Sequence, residues 1–218
     1  MNLVDPPLSA VKTQHLVRFD PPRNTRLDLA AIFGNPHPVE LEIGCGRGRF
    51  MCLAGYAHPS TNFLGIEYSK RYYDESVDRL GKRGITNVRL LHREALEFVK
   101  TQILDGSVAG IHIYFPDPWP KKRHHKRRFV RNEVLDELAR IAVPGSLLRI
   151  ATDHSDYAHA IRERVELHQS FDSLPLDSTD PFWNLPGLEP HSVQGVTNFE
   201  IKYRREGRPI WRFLFRRR

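Results

Sequence analysis

The chain has 218 residues, which is enough for one well-buried domain and tight for two compact ones. No apolar run approaches the roughly 20 residues that a membrane span needs, and the N-terminal segment lacks the basic and apolar regions of a signal peptide. With 33 Lys and Arg against 26 Asp and Glu, the formal net charge of +7 favours anionic partners, of which nucleic acid is the commonest macromolecule. The two cysteines imply no disulfide framework, so a cytoplasmic protein without a membrane partner is expected.

Residues 1–37 contain five prolines and little periodicity. They predict an extended arm, which could move, with one short helix around 27–33. Residues 38–218 are predicted to form a single domain.

The first strand of that domain, over 39–44, leads into the glycine-rich turn GCGRGRF. Glycines allow the backbone to tighten and to approach a ligand closely. The dinucleotide-binding spacing is not met, because its third glycine position holds Arg49. The pattern is instead an acidic residue followed by alternating glycines, so Glu42, Gly44 and Gly46 are candidate cofactor-binding residues.

The second strand, over 61–69, ends near Glu67. A carboxylate at this position can accept both hydroxyl hydrogens of a ribose, while Glu42 could meet an ammonium group. A ligand that offers both groups is S-adenosylmethionine. The alternative is that both acids cap the strand ends of an α/β domain without a ligand.

The remaining segments continue to alternate, with helices predicted over 70–83, 94–104, 129–142 and 155–168, and strands over 87–92, 106–115 and 146–153. This alternation indicates an α/β fold, with a doubly wound and mostly parallel seven-stranded sheet. The stretch 171–196 has no period and predicts a long connection. The last residues, about the turn REGRP, predict a C-terminal antiparallel hairpin, one strand of which closes the sheet.

The segment PDPWPKKRHHKRR, at 116–128, follows the end of a predicted strand, where open α/β sheets bind their ligands. Its acid, Asp117, is the candidate catalytic residue, and Trp119 could stack on an extruded base. Its cationic run would hold phosphate groups. The side chains predicted to contact the RNA backbone are Lys122, Arg123, His124, Lys126, Arg127 and Arg128.

A sulfonium donor implies methyl transfer, which needs positioning and charge placement more than covalent catalysis. Guanine N7 already presents its lone pair, so Asp117 would only hydrogen-bond the base, fix its pose and offset the growing positive charge. For an exocyclic amine, the same carboxylate could help to steer protons. His154 and His159, five residues apart, lack good metal-ligand spacing, and no metal is expected.

The residues PDPWPKKRHHKRR at 116–128 and TNFE at 197–200 resemble those of bacterial single-chain tRNA (guanine-N7-)-methyltransferases. The resemblance extends from about Val39 to Arg218 and includes LEIGCGRG, GIEYS and ATD in the same order. It implies a class I methyltransferase fold, S-adenosylmethionine as the cofactor and a variable-loop guanine of tRNA as the substrate. Whether the enzyme is a monomer or a homodimer stays open.

The resemblance also implies roles for individual residues. Contacts with the cofactor would come from Glu42, Glu67, Glu94 and Asp117, and Asp117 would also be catalytic. Glu94 stands where the family usually has Asp. Contacts with the substrate would come from Lys121, Asp153, Thr197, Asn198, Phe199 and Glu200, and the stretch 124–129 would contact RNA.

Two other functions are compatible with parts of this pattern. One is methylation of an exocyclic amine in RNA or DNA, because such enzymes carry an acid- or Asn-Pro-Pro-aromatic motif at this strand end. The intervening basic residues and TNFE argue against it. The other is a nucleic-acid-binding protein with a vestigial cofactor crevice, which the intact Glu42, Glu67 and Asp117 argue against.

Overall fold

The structure, a computed structural model, describes residues 6–23, 25–176, 180–183 and 195–218. Its strands are β1 (Val39–Ile43), β2 (Asn62–Glu67), β3 (Val88–His92), β4 (Val108–Tyr114), β5 (Ala142–Thr152), β6 (Phe171–Leu174) and β7 (Trp211–Arg217). Its helices are α1 (Gln14–Val17), α2 (Leu29–Phe33), α3 (Arg49–Ala57), α4 (Lys70–Gly81), α5 (Ala95–Gln102), α6 (Asn132–Ile141), α7 (Ser155–Glu166) and α8 (Asn198–Arg205), with a 3-10 helix at Lys122–Arg127. Within the described ranges, none of these helices is long and apolar enough to cross a membrane.

The seven strands form one sheet in the order β3-β2-β1-β4-β5-β7-β6. Strands β1 to β5 are parallel, and β7 lies antiparallel between β5 and β6. The predicted doubly wound, mostly parallel sheet is therefore confirmed. Strand β1 lies between β2 and β4, which is the switch point where an α/β sheet opens a crevice beyond its carboxyl ends.

One face of the sheet is apolar. Leu41 and Ile43 of β1 lie in register with Ile111 and Ile113 of β4, and all four belong to the larger buried core with residues of α5, α6 and α7. Side chains alternate between the two faces of a strand, so the residues between these four point the other way.

The opposite face carries a buried charged cluster. The imidazole of His112 lies 2.5 Å from the Glu40 carboxylate through Nε2 and 2.8 Å from the Tyr114 hydroxyl through Nδ1. Burial lowers the pKa of His112. Arg149 of β5 lies 3.6 Å from Glu40 and donates Nε to both carboxylate oxygens of Asp180, at 3.0 and 3.1 Å. This pair fastens the segment at 180–183 to the sheet.

Residues 198–205 form α8, so the hairpin predicted about REGRP is wrong in its first strand. The Thr197 hydroxyl accepts the Glu200 N–H at 3.0 Å, and the Glu200 carboxylate accepts the Val196 N–H at 3.1 Å. Capping of this kind satisfies N–H groups that the first turn of a helix leaves free. The second predicted strand is present as β7, and its antiparallel partners are β5 and β6 (Phe171–Leu174), the latter in a stretch that predicts no strand.

The described part of the N-terminal arm packs along α4, β3 and α5. Thr13 donates its hydroxyl to the Ile85 carbonyl at 2.9 Å, and Phe19 donates its N–H to the Leu90 carbonyl at 3.0 Å. Val17 is fully buried between α4 and β3. Helix α2 corresponds to the short helix predicted in this arm.

Replacing Asp180 by alanine should lower the free energy of unfolding by about 3 kcal/mol, because it leaves Arg149 buried without its closest carboxylate. Urea denaturation would measure the change. The matched control is Asp172→Ala, whose ion pair with Arg218 is half exposed and should cost less than about 1 kcal/mol. Equal effects of the two substitutions would contradict a special role for the buried pair.

Candidate cofactor and acceptor site

A cavity of about 280 Å³ opens where β1 and β4 end. The residues predicted for the site that line it are Glu42, Gly44, Gly46, Thr197, Asn198 and Phe199. Residues far apart in the sequence are therefore brought to one cavity. Phe50 and Tyr114, whose rings meet edge to face at 5.0 Å between centroids, also line it.

The glycine-rich turn presents bare backbone to this cavity. Gly44 and Gly46 have φ of +76° and +54°, which favours glycine. Apart from its chain neighbours, no described residue has an atom within 4 Å of a Cβ added at either one. Glu67, at the end of β2, is hydrogen-bonded to this turn. Its carboxylate accepts the N–H of Gly46 at 2.8 Å and that of Ser69 at 2.7 Å.

Glu42 is a buried acid on the same face of β1 as Glu40. It is 2% exposed, and its Oε2 has no hydrogen-bond partner in the described part of the chain. Burial, and then the charge of Glu67, raises the pKa of Glu42 well above its ordinary value. A cationic group of a ligand in the cavity can supply the partner that this oxygen lacks among the described residues.

These residues fit S-adenosylmethionine. The unpartnered carboxylate of Glu42 suits the ammonium group of its methionine part. The open space at Gly44 and Gly46 admits a ligand close to the backbone. The residues that would hold the cofactor are therefore those of the turn after β1 and the acids on either side of it.

Helix α8 forms one wall of the cavity, and a buried ion-pair network fastens it. Glu200, 2% exposed, accepts hydrogen bonds from Arg204 at 2.7 and 2.9 Å and pairs with Arg212 of β7. Arg49 of α3 donates Nε to the Gly195 carbonyl at 3.0 Å, just before the helix. Glu200, predicted as a substrate contact, thus has its carboxylate in the protein interior.

The loop after β4 is held in an unusual backbone conformation. Phe115 and Trp119 have φ of 54° and 43°, which is rare for large side chains and is often found at functional sites. Asp117 lies between them and is exposed, three residues after the cavity-lining Tyr114. One side of the Trp119 ring is covered by the guanidinium of Arg127, 5.0 Å from the ring centroid.

The basic loop, which we define as residues 121–128, includes the 3-10 helix. Its lysines, Arg123 and Arg127 are exposed, and its two histidines are partly buried. Arg128 differs: it is 2% exposed, donates Nε to the Pro118 carbonyl at 2.8 Å and pairs with Asp156 of α7. Its guanidinium also lies 4.8 Å from the Tyr157 ring centroid. Arg128 therefore fastens the loop, whereas the sequence predicts it as an RNA contact.

Two further acids predicted for the site form hydrogen bonds or an ion pair with other residues of the protein. Glu94 caps α5 by accepting the N–H groups of Leu96 at 3.2 Å and Glu97 at 2.7 Å. Asp153, at the end of β5, is buried and pairs with Arg208. In the described ranges, no three His, Cys, Asp or Glu side chains are grouped to hold a metal ion.

Four further residues line the cavity and are not among those predicted for the site, namely Tyr114, Tyr72, Arg47 and Lys202. A signal for Tyr114 was present, because His112 and Tyr114 are polar residues two positions apart in an otherwise apolar strand and so share a face. The other three lie on helices and turns, where no comparable pattern marks them.

Several solved structures with a similar fold are described as methyltransferases. An antibiotic-related methyltransferase superposes with a TM-score of 0.57 at 19% identity, covering 94% of this chain and 98% of that chain. A 30S ribosomal A1408 methyltransferase from an uncultured bacterium gives 0.53 at 18% identity, covering 92% and 96%. The chain thus has the Rossmann-like fold of these methyltransferases.

Sequence relatives define the family more narrowly. The family model described as "Putative methyltransferase" matches residues 36–213. The tRNA (guanine-N(7)-)-methyltransferase of Bordetella pertussis is 37% identical over 193 residues, covering 88% of this chain and 72% of the relative, and that of Paracidovorax citrulli is 38% identical, covering 88% and 73%. The chain belongs to the tRNA (guanine-N(7)-)-methyltransferase family. The predicted fold class, enzyme class and S-adenosylmethionine cofactor are confirmed.

Replacing Glu42 by glutamine should stabilise the cofactor-free protein relative to wild type, and increasingly so as pH rises. The raised pKa means that the native state of the wild type holds a proton that the unfolded state has lost. Stability therefore falls as pH rises from the unfolded pKa towards the folded one. Urea denaturation between pH 5 and pH 8 would measure the gap between the two proteins. A gap that does not change with pH would contradict the assignment.

The same substitution should weaken S-adenosylmethionine binding by calorimetry, because the carboxylate that meets the ammonium group is lost. Stronger binding by the variant would contradict the role of Glu42.

Proposed function

We propose that this protein transfers a methyl group from S-adenosylmethionine to N7 of a variable-loop guanine in tRNA. The observation that carries the proposal is the pairing of two features at adjacent strand ends. A cavity with an unpartnered buried carboxyl group follows β1, and an exposed acid on a strained loop, continued by a cationic run, follows β4. The names of the family's curated members agree with this activity.

The cofactor is held by residues at the ends of β1 and β2. Glu42 would hold the ammonium group, and the backbone at Gly44 and Gly46 would admit the ligand. Glu67 accepts the ribose hydroxyls with the lone pairs that its two backbone contacts leave available. Glu94 would accept hydrogen bonds from the adenine edge, likewise with the lone pairs that its two backbone contacts leave available. When bound, the cofactor supplies an electrophilic methyl group on a cationic sulfur.

Asp117 positions the acceptor base. Guanine N7 needs no deprotonation, because its lone pair points outward on the Hoogsteen edge. An exposed carboxylate can accept hydrogen bonds from the N1–H and amino group of the same base. It then fixes the pose of the ring and offsets the positive charge that develops as N7 is methylated.

Other residues complete the acceptor side. We assign substrate contacts to Lys121, Asp153, Thr197, Asn198 and Phe199. Glu200 does not contact the substrate directly. Its buried carboxylate fixes α8, and Thr197, Asn198 and Phe199 lie at the start of that helix.

The basic loop holds the RNA backbone through its exposed cations. Arg128 is left out of this set, since its guanidinium pairs with Asp156 inside the protein. The guanidinium of Arg127 covers one face of the Trp119 ring. Trp119 therefore stabilises the loop and does not offer both faces of its ring to a base.

A methyl-transfer assay with purified protein, labelled S-adenosylmethionine and unmodified tRNA, followed by nucleoside analysis, tests the proposal. We expect 7-methylguanosine at a variable-loop position. N6-methyladenosine would favour the exocyclic-amine enzyme, to which the motif at Asp117 is similar. Absence of both methylation and donor binding would favour a nucleic-acid-binding protein without catalytic activity.

Replacing Asp117 by alanine should lower kcat about 100-fold, because the developing charge on the base loses its counter-charge. The dissociation constant for tRNA and the melting temperature should change little, since Asp117 is exposed. The control is Asp105→Ala, also exposed and outside the site, which should leave kcat unchanged. An unchanged kcat in the Asp117 variant would contradict a catalytic role and would leave Asp117 with only a structural role in the turn.

A further inference from the structure

A second cavity, of about 460 Å³, adjoins the cofactor cavity. It is lined by Arg47, Asn198, Ile201, Lys202, Arg205 and Glu206, and we call it the α8 groove. Arg47, Asn198 and Lys202 line both cavities, so the two are neighbours. Three basic side chains against one acid give the groove a net positive charge.

The cations of the groove remain available to an external anion. Lys202 and Arg205 are exposed and lie three residues apart, so they share one face of α8. Lys202 lies 3.9 Å from Glu206, and Arg47 pairs with Glu75 at 3.1 Å while its side chain stays 48% exposed. Exposed pairs of this kind contribute about 0–1 kcal/mol, so a phosphate group can compete for these cations.

The position of the groove complements that of the basic loop. The groove is built from the turn after β1 and from α8, whereas the basic loop follows β4, and β1 and β4 are neighbours in the sheet. A nucleotide that delivers its base to the cavity between them carries one phosphate on its 5′ side and another on its 3′ side. The backbone must therefore leave the cavity in two directions.

We propose that the α8 groove binds the phosphate backbone of tRNA on one side of the target nucleotide, while the basic loop binds it on the other. This inference rests on the proposed function, in that the polyanion is tRNA. It adds a second RNA contact surface, carried by Arg47, Lys202 and Arg205.

The experiment measures tRNA binding as a function of salt, with S-adenosylhomocysteine present. For Lys202→Ala/Arg205→Ala we expect about tenfold weaker binding at low salt and a slope of log K against log salt smaller by about 1.5, near 0.7–0.9 per lost phosphate contact. The charge-conserving Lys202→Arg/Arg205→Lys variant should keep the wild-type slope.

The matched control is Lys82→Ala/Lys100→Ala. Both lysines form ion pairs on the surface, with Asp78 and Glu133. Lys82 directly follows α4 and Lys100 lies in α5, and neither lines the cavity or the α8 groove. This variant should bind tRNA with the wild-type slope. The reference for the other surface is Lys121→Ala/Lys122→Ala in the basic loop, whose loss of slope should add to that of the groove variant.

Calorimetry with S-adenosylhomocysteine and thermal unfolding separate the remaining outcomes. Arg205 lines only the groove, so unchanged cofactor affinity and melting temperature in Arg205→Ala, with a reduced slope, would support the groove as an RNA surface. A slope equal to that of the Lys82→Ala/Lys100→Ala control would overturn the proposal that the groove binds RNA. Loss of cofactor affinity without a change in slope would overturn it as well. Wild-type protein that forms no 7-methylguanosine would overturn the proposed function, whereas a reduced slope in the same preparation would still support the groove.

Discussion

The structure depends on how charges are paired on the polar face of its central sheet. Glu40 and Arg149 lie in strands that are buried on both sides, where an isolated charge would be very costly. Each has partners within the protein, and Asp180 neutralises Arg149 from an irregular segment. Glu42, two residues after Glu40 on the same face, is the exception. Its Oε2 has no hydrogen-bond partner among the described residues and lies where the ligand cavity opens, so the gap in charge pairing on this face coincides with the site.

The cavity also needs an element that does not belong to the parallel sheet. Helix α8 supplies one wall, and it is held through Glu200, which pairs with Arg212 of the antiparallel strand β7. The C-terminal part of the chain therefore does two tasks, since β7 closes the sheet and anchors the wall of the site. The stability of the fold and the shape of the cavity are linked through the ion pairs of Glu200.

Much of the fold could be predicted from the sequence, because parallel strands are continuous apolar runs and glycines mark the turn after β1. The first strand of the hairpin was predicted wrongly since alternating side chains after Thr197 suggested a strand, although the spacing of Thr197 and Glu200 already carried a capping signal. The pair of Arg149 and Asp180 had no signal, because a contact across 31 residues through an irregular segment depends on tertiary packing. The sequence likewise gives Arg128 the same predicted role as the neighbouring basic residues. The ion pair with Asp156, which sets Arg128 apart, forms only in the folded structure.

The burial of Arg128 has a kinetic consequence for the loop that contains it. Its contacts with the Pro118 carbonyl, Asp156 and the Tyr157 ring tie one end of the cationic run to α7 before any RNA arrives. A segment that is already ordered loses less conformational entropy on association. Its exposed charges also act as a fixed patch that can steer a polyanion during diffusional encounter. One cation withdrawn from the surface thus makes the others more effective at capture.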